Sequence, residues 1–580
     1  MSSNHKGRRH LSLAVTGSGG AGVMTVGGLV LEAAADAGYY GVQTRSVGPQ
    51  IRGGEAASMV RLSTTPVDIH DGPFDILFAL DWRNLERFSA EILLAKTSLV
   101  LFDPEAGAPP ETVSGSGTRL HEVAVKDITG TITGGRANMV ALGVVAAAAG
   151  IAADSLERLV TQKLDNKGEQ AVSAGMACIE AGYAAAEPFA AEMSLAPSDP
   201  GGNGRWIVTG NEAAALGAVR GGIRFAAAYP ITPATEILEW LSSALPKVGG
   251  SLVQAEDELS SINMAIGASY GGVPALTATS GPGLALMSEA LGLATAAEVP
   301  VVVVDVMRGG PSTGIPTKSE QTDLNIAVYG LHGDAPHVVL APLSIGDCLF
   351  TTQWAAHLAD AMQVPAIVLS DQFLGQTRAI IERPADVAFL ATRERAEQPG
   401  ADFARYAVSA SGVSAMAVPG TAGGQYTADG LEHSPRGLPS TAAADHQTQL
   451  DKRARKLAGF EFGTHWAEID GDGDSELALV AWGSTAPALR GAAARLRADG
   501  RKVKTIALRL LAPSRPEHMA TALDGVEKLL VVDQSHSAQF HHYLRAHYDL
   551  PAGTRCLNRA GPLLFSAGEI AAEAEQWSSS

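Results

Sequence analysis

The sequence predicts an α/β protein of three domains, and three observations predict it. A chain of 580 residues is too long for one hydrophobic core. Apolar runs of strand length alternate with helix-length segments in three separate blocks. Glycine and alanine are abundant while aromatic residues make up 5% of the chain, which favours closely packed helices on parallel sheets over an all-β design.

The first block is expected to cover 1–190. It begins MSSNHKGRRHLSLAVTG, a basic start with a short apolar run that leads into a glycine-rich turn, and this reads as a first strand rather than a signal peptide. VMTVGGLVLEAAADAG follows as a helix, FDILFAL and TSLVLFD as strands, and ANMVALGVVAAAAGI as an alanine-rich helix. That rhythm predicts a parallel sheet covered by helices. The Pro/Gly/Ser stretch SLAPSDPGGNGR has no periodicity and reads as a linker, placed at 191–206. From Trp206 the pattern restarts as WIVTGN, and PALTATS, VPVVVVDVMR and VPAIVLSD give further strands of a second domain over 207–384. Residues 385–473 are irregular and polar, and so long a connection is expected to pack over a surface. The last domain, 474–580, alternates LALVAWG, the helix APALRGAAARLRADG and the strands VKTIALRLL and KLLVVDQS. No tandem repeat at a fixed period is present.

A formal net charge of −18, from 43 basic against 61 acidic side chains, argues against nucleic acid and against an anionic membrane surface as partner. Three scattered cysteines form no CxxC pair, so local spacing supplies neither a zinc knuckle nor a cysteine-ligated cluster. The longest apolar runs are far short of a spanning helix, and the expectation is a soluble cytoplasmic protein.

Four motifs carry chemistry. Gly17-Ser18-Gly19-Gly20-Ala21-Gly22 follows a strand and opens a helix. Its backbone N–H groups serve either a phosphate-bearing ligand other than NAD or a plain tight turn, since GVQTRSVG offers no acid for a ribose. Arg45 and Arg52 add cations on a presumed loop, with a solvated surface as the alternative. Tyr229-Pro230-Ile231-Thr232-Pro233 ends an apolar strand, where α/β sheets place ligands, and its prolines hold the Thr232 hydroxyl in a set direction. A proline-rich turn is the bland alternative. Glu256-Asp257-Glu258 opens a helical run, where acids either complement the helix dipole or supply one proton-sharing carboxyl. Arg308 follows the buried-strand run VPVVVVDVM and opens the loop Arg308-Gly309-Gly310-Pro311-Ser312-Thr313-Gly314-Ile315-Pro316-Thr317-Lys318, a setting suited to gripping a carboxylate.

Two look-alikes fail. Gly471-Asp472-Gly473 resembles the start of a GDG…N diphosphate–magnesium motif, but no Asn completes it. Asp470, Asp472 and Asp474 mimic a calcium loop whose later glycine and glutamate positions hold Ser475 and Ala481.

Taken together, the motifs resemble the 2-oxoacid:ferredoxin oxidoreductases. GSGGAG and RGGEAAS are similar to that family's γ module; YPITP, EDE before IGASYGG, TATSGPGLALMSEALGLA, RGGPSTGIPTKSEQTDL, TADGLEHSPRGLPS and DKRARKLAGF to its α module; AWGS and VVDQSHSAQF to its transketolase-C-like portion. The resemblance spans nearly the whole chain, in the family's order.

The resemblance implies a thiamine-diphosphate pyrimidine-binding domain over 207–384, with Glu258 on the aminopyrimidine. It implies Arg308 on the 2-oxoacid carboxylate, with Thr232 and Thr317 supplying hydroxyls. Tyr229, Pro230, Ile231, Ser280, Gly281 and Gly283 would line the cofactor. Coenzyme A is associated with the γ module, which brings Gly17, Gly19, Gly20, Gly22 and Arg52 into consideration. The magnesium ion and the [4Fe-4S] cluster are implied on a separate β subunit, with ferredoxin as electron acceptor and an (αβ)2 assembly. The γ–α fusion and STGIPTKSEQTDL resemble the 2-oxoglutarate branch; pyruvate and branched-chain 2-oxoacids stay open, as does a non-catalytic nucleotide- or CoA-binding assembly role.

Overall fold

The computed structural model describes residues 7–47, 54–83, 85–198, 204–315, 317–471 and 473–578. It is α/β throughout, with three sheets distributed over two compact units.

The first unit comprises residues up to Val208 together with Thr377–Pro384. Its eight-stranded sheet runs in the order Arg119–Glu122, Leu94–Phe102, Phe74–Ala79, His10–Ser18, Glu55–Ser63, Tyr40–Val47, Arg378–Ile381, Trp206–Thr209. The first four strands are parallel, as expected. The next three are antiparallel, which corrects the all-parallel expectation. The physical reason is their closeness in sequence: Tyr40–Val47 and Glu55–Ser63 are consecutive strands, and antiparallel neighbours need no crossover helix. Arg45 accordingly stands in a strand, not on a loop. A second correction concerns WIVT and the strand Arg378–Ile381, both expected in the next domain and both found in this sheet. Helices Val23–Asp36, Ala137–Ala149 and Glu169–Met193 pack in this unit. The latter two cross at backbone contact, because a Cβ on Gly143 would run into the Ile179 carbonyl and one on Gly182 into that of Val140.

The second unit comprises Thr209–Gln376 and Ala385–Ser580. Its seven-stranded sheet runs Leu510–Ala512, Val338–Leu340, Pro365–Asp371, Val301–Met307, Ala275–Thr279, Phe225–Ala228, Ser251–Gln254. All but the first are parallel. Strands buried on both faces read as continuous apolar runs, and Val301–Met307 is buried at every position. A five-stranded sheet follows: Ala467–Asp470, Val503–Leu508, Leu477–Trp482, Lys528–Asp533, Gly553–Asn558. One apolar core serves both sheets.

VKTIALRLL, expected as one strand, divides at Arg509 and enters both sheets. The Arg509 guanidinium is held by Asp347 in two contacts of 3.0 and 3.1 Å. The irregular stretch after Pro384 does pack on the unit, as expected. Arg393 reaches Asp360 at 2.7 Å with both side chains buried, and Arg405 is wholly buried. It leads into a helix, Ala443–Ala458, whose Lys452 and Lys456 both bind the buried Glu298 carboxylate.

Candidate functional site

Parallel neighbours end side by side, so loops far apart in sequence converge at the carboxyl edge of the seven-stranded sheet. YPITP follows Phe225–Ala228, Ser280-Gly281 follows Ala275–Thr279, and Arg308 follows Val301–Met307. Arg308 Nη1 donates to the Thr232 carbonyl oxygen at 2.7 Å, so the two motifs meet. The contact uses the Thr232 backbone, and its side chain is exposed. Arg308 Nε is buried with no acceptor, an atom in want of an anion.

The three acids at the next helix start take three different positions. Glu256 is exposed. Asp257 caps the helix Glu258–Tyr270, accepting from the Ser260 N–H at 2.7 Å, and these bonds lower its carboxyl's pKa. Glu258 is buried, 8% exposed, and no hydrogen bond reaches its carboxylate among the described residues. It lies against Gly283: a Cβ there would fall 2.7 Å from Glu258 Cγ, 3.1 Å from its Oε1, and would clash outright with Thr279 Oγ1. Only glycine leaves room for that acid. Gly281 is matched to Asp323 in the same way, with a Cβ falling 2.6 and 2.7 Å from its two carboxylate oxygens. Ser280 Oγ is buried and unpartnered. Tyr229 is 41% exposed, and Pro230 and Ile231 are half-buried.

Thr317 adopts a left-handed φ of 41° in the loop after Arg308. That loop closes on itself through the Gly309 N–H donating to the Lys318 carbonyl at 2.9 Å. No contact joins the Thr317 hydroxyl to Arg308 or Thr232 among the described residues.

Beneath these groups lies a carboxyl pair that the sequence reading did not single out. Asp305 is wholly buried and Asp323 half-buried; among the described residues no donor reaches either Asp305 oxygen or the buried Asp323 Oδ2. Burial, and then the neighbouring acid, raise Asp305 well above the ordinary carboxyl range, while burial takes Asp323 up to about 6. A lone Asp inside VPVVVVDVM was the available signal. Among the described residues no group of three or more His, Cys, Asp or Glu side chains is arranged to hold a metal.

The glycine-rich turn lies in the first unit. Its Gly19 N–H is taken by the Gly54 carbonyl, its Ala21 N–H by Ser18, and the Ser18 N–H by Asp81 at 2.9 Å. Gly22, at φ 82°, caps the helix without a side-chain bond and lies under Asn138. Part of the amide cradle is thus committed to the protein itself. Arg52 lies outside the described residues. A cleft of roughly 300 Å³ sits beside the same helix, lined by Thr25, Met139, Lys163, Lys167 and Arg378. Glu32 binds Lys163 and Arg378 at 3.0 and 3.1 Å. Sequence reasoning missed this cleft because Arg378 arrives from a strand expected in another domain.

The second unit is therefore an α/β domain whose strand-end loops bring these groups to one edge of a parallel sheet, the place where such sheets bind ligands. Residues 216–452 match the thiamine-diphosphate-binding domain of pyruvate flavodoxin/ferredoxin oxidoreductase, and residues 12–185 match the pyruvate ferredoxin/flavodoxin oxidoreductase domain. A 2-oxoglutarate synthase subunit (KorA) of Methanothermobacter marburgensis is 34% identical over 348 residues, 59% of this chain and 90% of that one. A 2-oxoglutarate oxidoreductase subunit of Mycobacterium tuberculosis is 36% identical over 425 residues, covering 71% of this chain and 64% of its own length. The 2-oxoglutarate:ferredoxin oxidoreductase of Magnetococcus marinus, solved with 2-oxoglutarate, coenzyme A and succinyl-CoA bound, superposes with a TM-score of 0.92 at 34% identity, over 98% of this chain and 100% of that one. The chain belongs to the 2-oxoacid:ferredoxin oxidoreductases, as its motifs led us to expect. Relatives of this kind are named as subunits, so the enzyme is a multi-subunit oxidoreductase. Among the described residues no helix is long and apolar enough to cross a membrane.

Proposed function

We propose that this chain is the subunit of a cytoplasmic oxidoreductase that converts 2-oxoglutarate and coenzyme A to succinyl-CoA and carbon dioxide, with electrons passed to ferredoxin. The observation that carries the reading is that two groups without a protein partner among the described residues stand at strand ends along one edge of the same sheet. Glu258 is a buried carboxyl without a donor, held against Gly283, and Arg308 has a buried Nε without an acceptor. The first suits the aminopyrimidine of thiamine diphosphate and the second a 2-oxoacid carboxylate, so the residues present fit the group the family implies. The cofactor, when bound, supplies the electron sink for loss of carbon dioxide.

This chain's residues then have separable tasks. Glu258 holds or releases a proton at the aminopyrimidine, and its helix-start position fixes where that proton is. Arg308, anchored through Nη1 on the Thr232 carbonyl, orients the substrate carboxylate. The Thr232 and Thr317 hydroxyls face the keto acid. Ser280, Gly281 and Gly283, with Tyr229, Pro230 and Ile231, are the residues that would hold the pyrimidine, Gly283 by leaving room for Glu258. A partner β subunit carries the magnesium-bound diphosphate and the [4Fe-4S] cluster, in an (αβ)2 assembly. The cationic cleft of the first unit, with Lys163, Lys167 and Arg378, supports an anionic co-substrate such as coenzyme A there.

The test is coenzyme-A-dependent viologen reduction by the chain co-purified with its native partner, comparing 2-oxoglutarate with pyruvate. We expect strong preference for 2-oxoglutarate and no turnover from the chain alone. Preference for pyruvate would overturn the substrate, and no reduction from a complex shown to hold cofactor and cluster would overturn the catalytic reading.

A further inference from the structure

We infer that the Asp305–Asp323 carboxyl pair sets the charge that Arg308 presents to an incoming 2-oxoacid, so that substrate binding takes up a proton into the pair. The inference rests on the reading of Arg308 as the carboxylate-binding residue.

The geometry starts from Asp305. It stands on the central strand Val301–Met307, three residues before Arg308, beside Thr279 of the neighbouring strand. Among the described residues neither carboxylate oxygen has an N–H or O–H donor, and the acid beside it is Asp323. Two bare carboxylates cannot share such a place out of water, so a proton sits between them. Asp323 in turn lies against Gly281, at the turn that receives the cofactor in the proposed reading.

The charges facing the pair are few. Glu320, half of whose carboxylate is taken by the Gly561 N–H at 3.0 Å, raises Asp323. Arg308 lowers it, yet no ion pair within 4 Å joins them. Glu258 approaches from across Thr279 and Gly283. The first turn of the Gly281–Ala296 helix carries no acid. The helix Gln539–His547 meets this corner through neutral Gln539, which donates to the Thr322 carbonyl at 2.9 Å. Asp371, paired with Met307 on the next strand, is a separate buried acid whose Oδ1 accepts from the Leu374 N–H at 2.9 Å.

The consequence follows from counting. Each proton held by the pair removes one negative charge from the corner where Asp323 meets the field of Arg308. Each proton held makes the site more receptive to an anion. By linkage, a bound anion draws a proton onto the pair, and affinity falls as pH rises through its titration. Arg308 needs no movement for this.

The test uses the assembled complex and N-oxalylglycine, an unreactive dicarboxylate mimic of 2-oxoglutarate. Calorimetric titrations from pH 5.5 to 8.5, in two buffers of different ionisation enthalpy, read affinity and proton uptake together. We expect wild-type affinity to fall with pH, by up to about tenfold per pH unit because one proton is exchanged. Asp323→Asn is expected to bind with flat affinity and no uptake. Asp305→Asn, whose amide replaces the shared proton as donor, is expected to keep uptake but with its midpoint shifted to lower pH. Wild-type uptake retained in Asp323→Asn, or uptake abolished by Asp371→Asn instead, would overturn the inference. Arg308→Ala separates the two layers: unchanged binding in that variant would overturn the Arg308 reading itself. Lost binding there, together with an unaltered Asp323→Asn profile, would overturn only the role of the pair.

Discussion

Glu258 and Gly283 lie in contact across two helix starts, close enough that a single methyl at 283 would fall 2.7 Å from Glu258 Cγ. The pair makes glycine at 283 a condition of the acid's position. Gly283→Ala is expected to push Glu258 aside and lower turnover by about a hundredfold, the usual penalty for a misplacement near 1 Å. Turnover at saturating thiamine diphosphate, with a thermal melt as the folding control, measures it. Wild-type turnover would show that Glu258 has no positional role.

Arg308 offers two separate contacts, one made through Nη1 to the Thr232 backbone and one left open at the buried Nε. Arg308→Lys keeps a charge but cannot make both. The expected outcome is a KM for 2-oxoacid raised by about tenfold or more with kcat less affected, because a planar fork is lost rather than the cation. Thr232→Ser should leave the carbonyl contact intact and change KM little.

Glu298 is held by buried Lys452, Lys456 and Arg405. Burial alone would raise its carboxyl, but the three cations hold it at about 2, below its ordinary 4.5. A depressed folded pKa contributes stability that is present above 4.5 and lost as pH falls toward 2. Burial has the opposite consequence for Lys456, lowering it to about 7 against the pull of Glu298, so stability should rise as pH climbs from there toward 10.5. Denaturant unfolding at pH 3, 7 and 9 tests both limbs. Glu298→Gln should abolish the acid limb and cost about 3 kcal/mol or more at pH 7, since it leaves buried cations unpaired.

Arg509→Ala removes one partner of the largely buried Asp347 pair. The expected loss is about 3 kcal/mol, read by denaturant unfolding of the whole chain. A loss confined to one of two separate transitions would show that the two sheets of the second unit unfold independently.

The strands that could be read directly were those buried on both faces. VPVVVVDVM and VPAIVLSD announce themselves because continuous apolar runs have no other use at that length. The strands Tyr40–Val47 and Glu55–Ser63 escaped because the sequence between them, GPQIRGG, carries the glycines and proline of a loop, and their pairing is antiparallel among parallel neighbours. Arg378–Ile381 escaped because four residues carry no address; only its place between Tyr40–Val47 and Trp206–Thr209 in the sheet tells where it belongs. At the site, Arg308 was legible from its place after a buried strand. Asp305 was passed over as part of that strand, and Asp323 became significant only once folding set it against Gly281. Glu258 was preferred to Glu256 on the resemblance's spacing to SGPG and Arg308; what folding adds is that Glu258 is buried while Glu256 is exposed.

The ten residues Val503–Ala512 stitch one sheet to the other, with a single turn of direction at Arg509. The last hundred residues are therefore no detachable cassette. A recombination crossover at about residue 473 would take away the edge strand Leu510–Ala512 and leave Val339 and Leu340 as a bare apolar rim, open to pairing with any stray strand. Grafts from relatives will be tolerated only where donor and recipient agree on both sides of that seam.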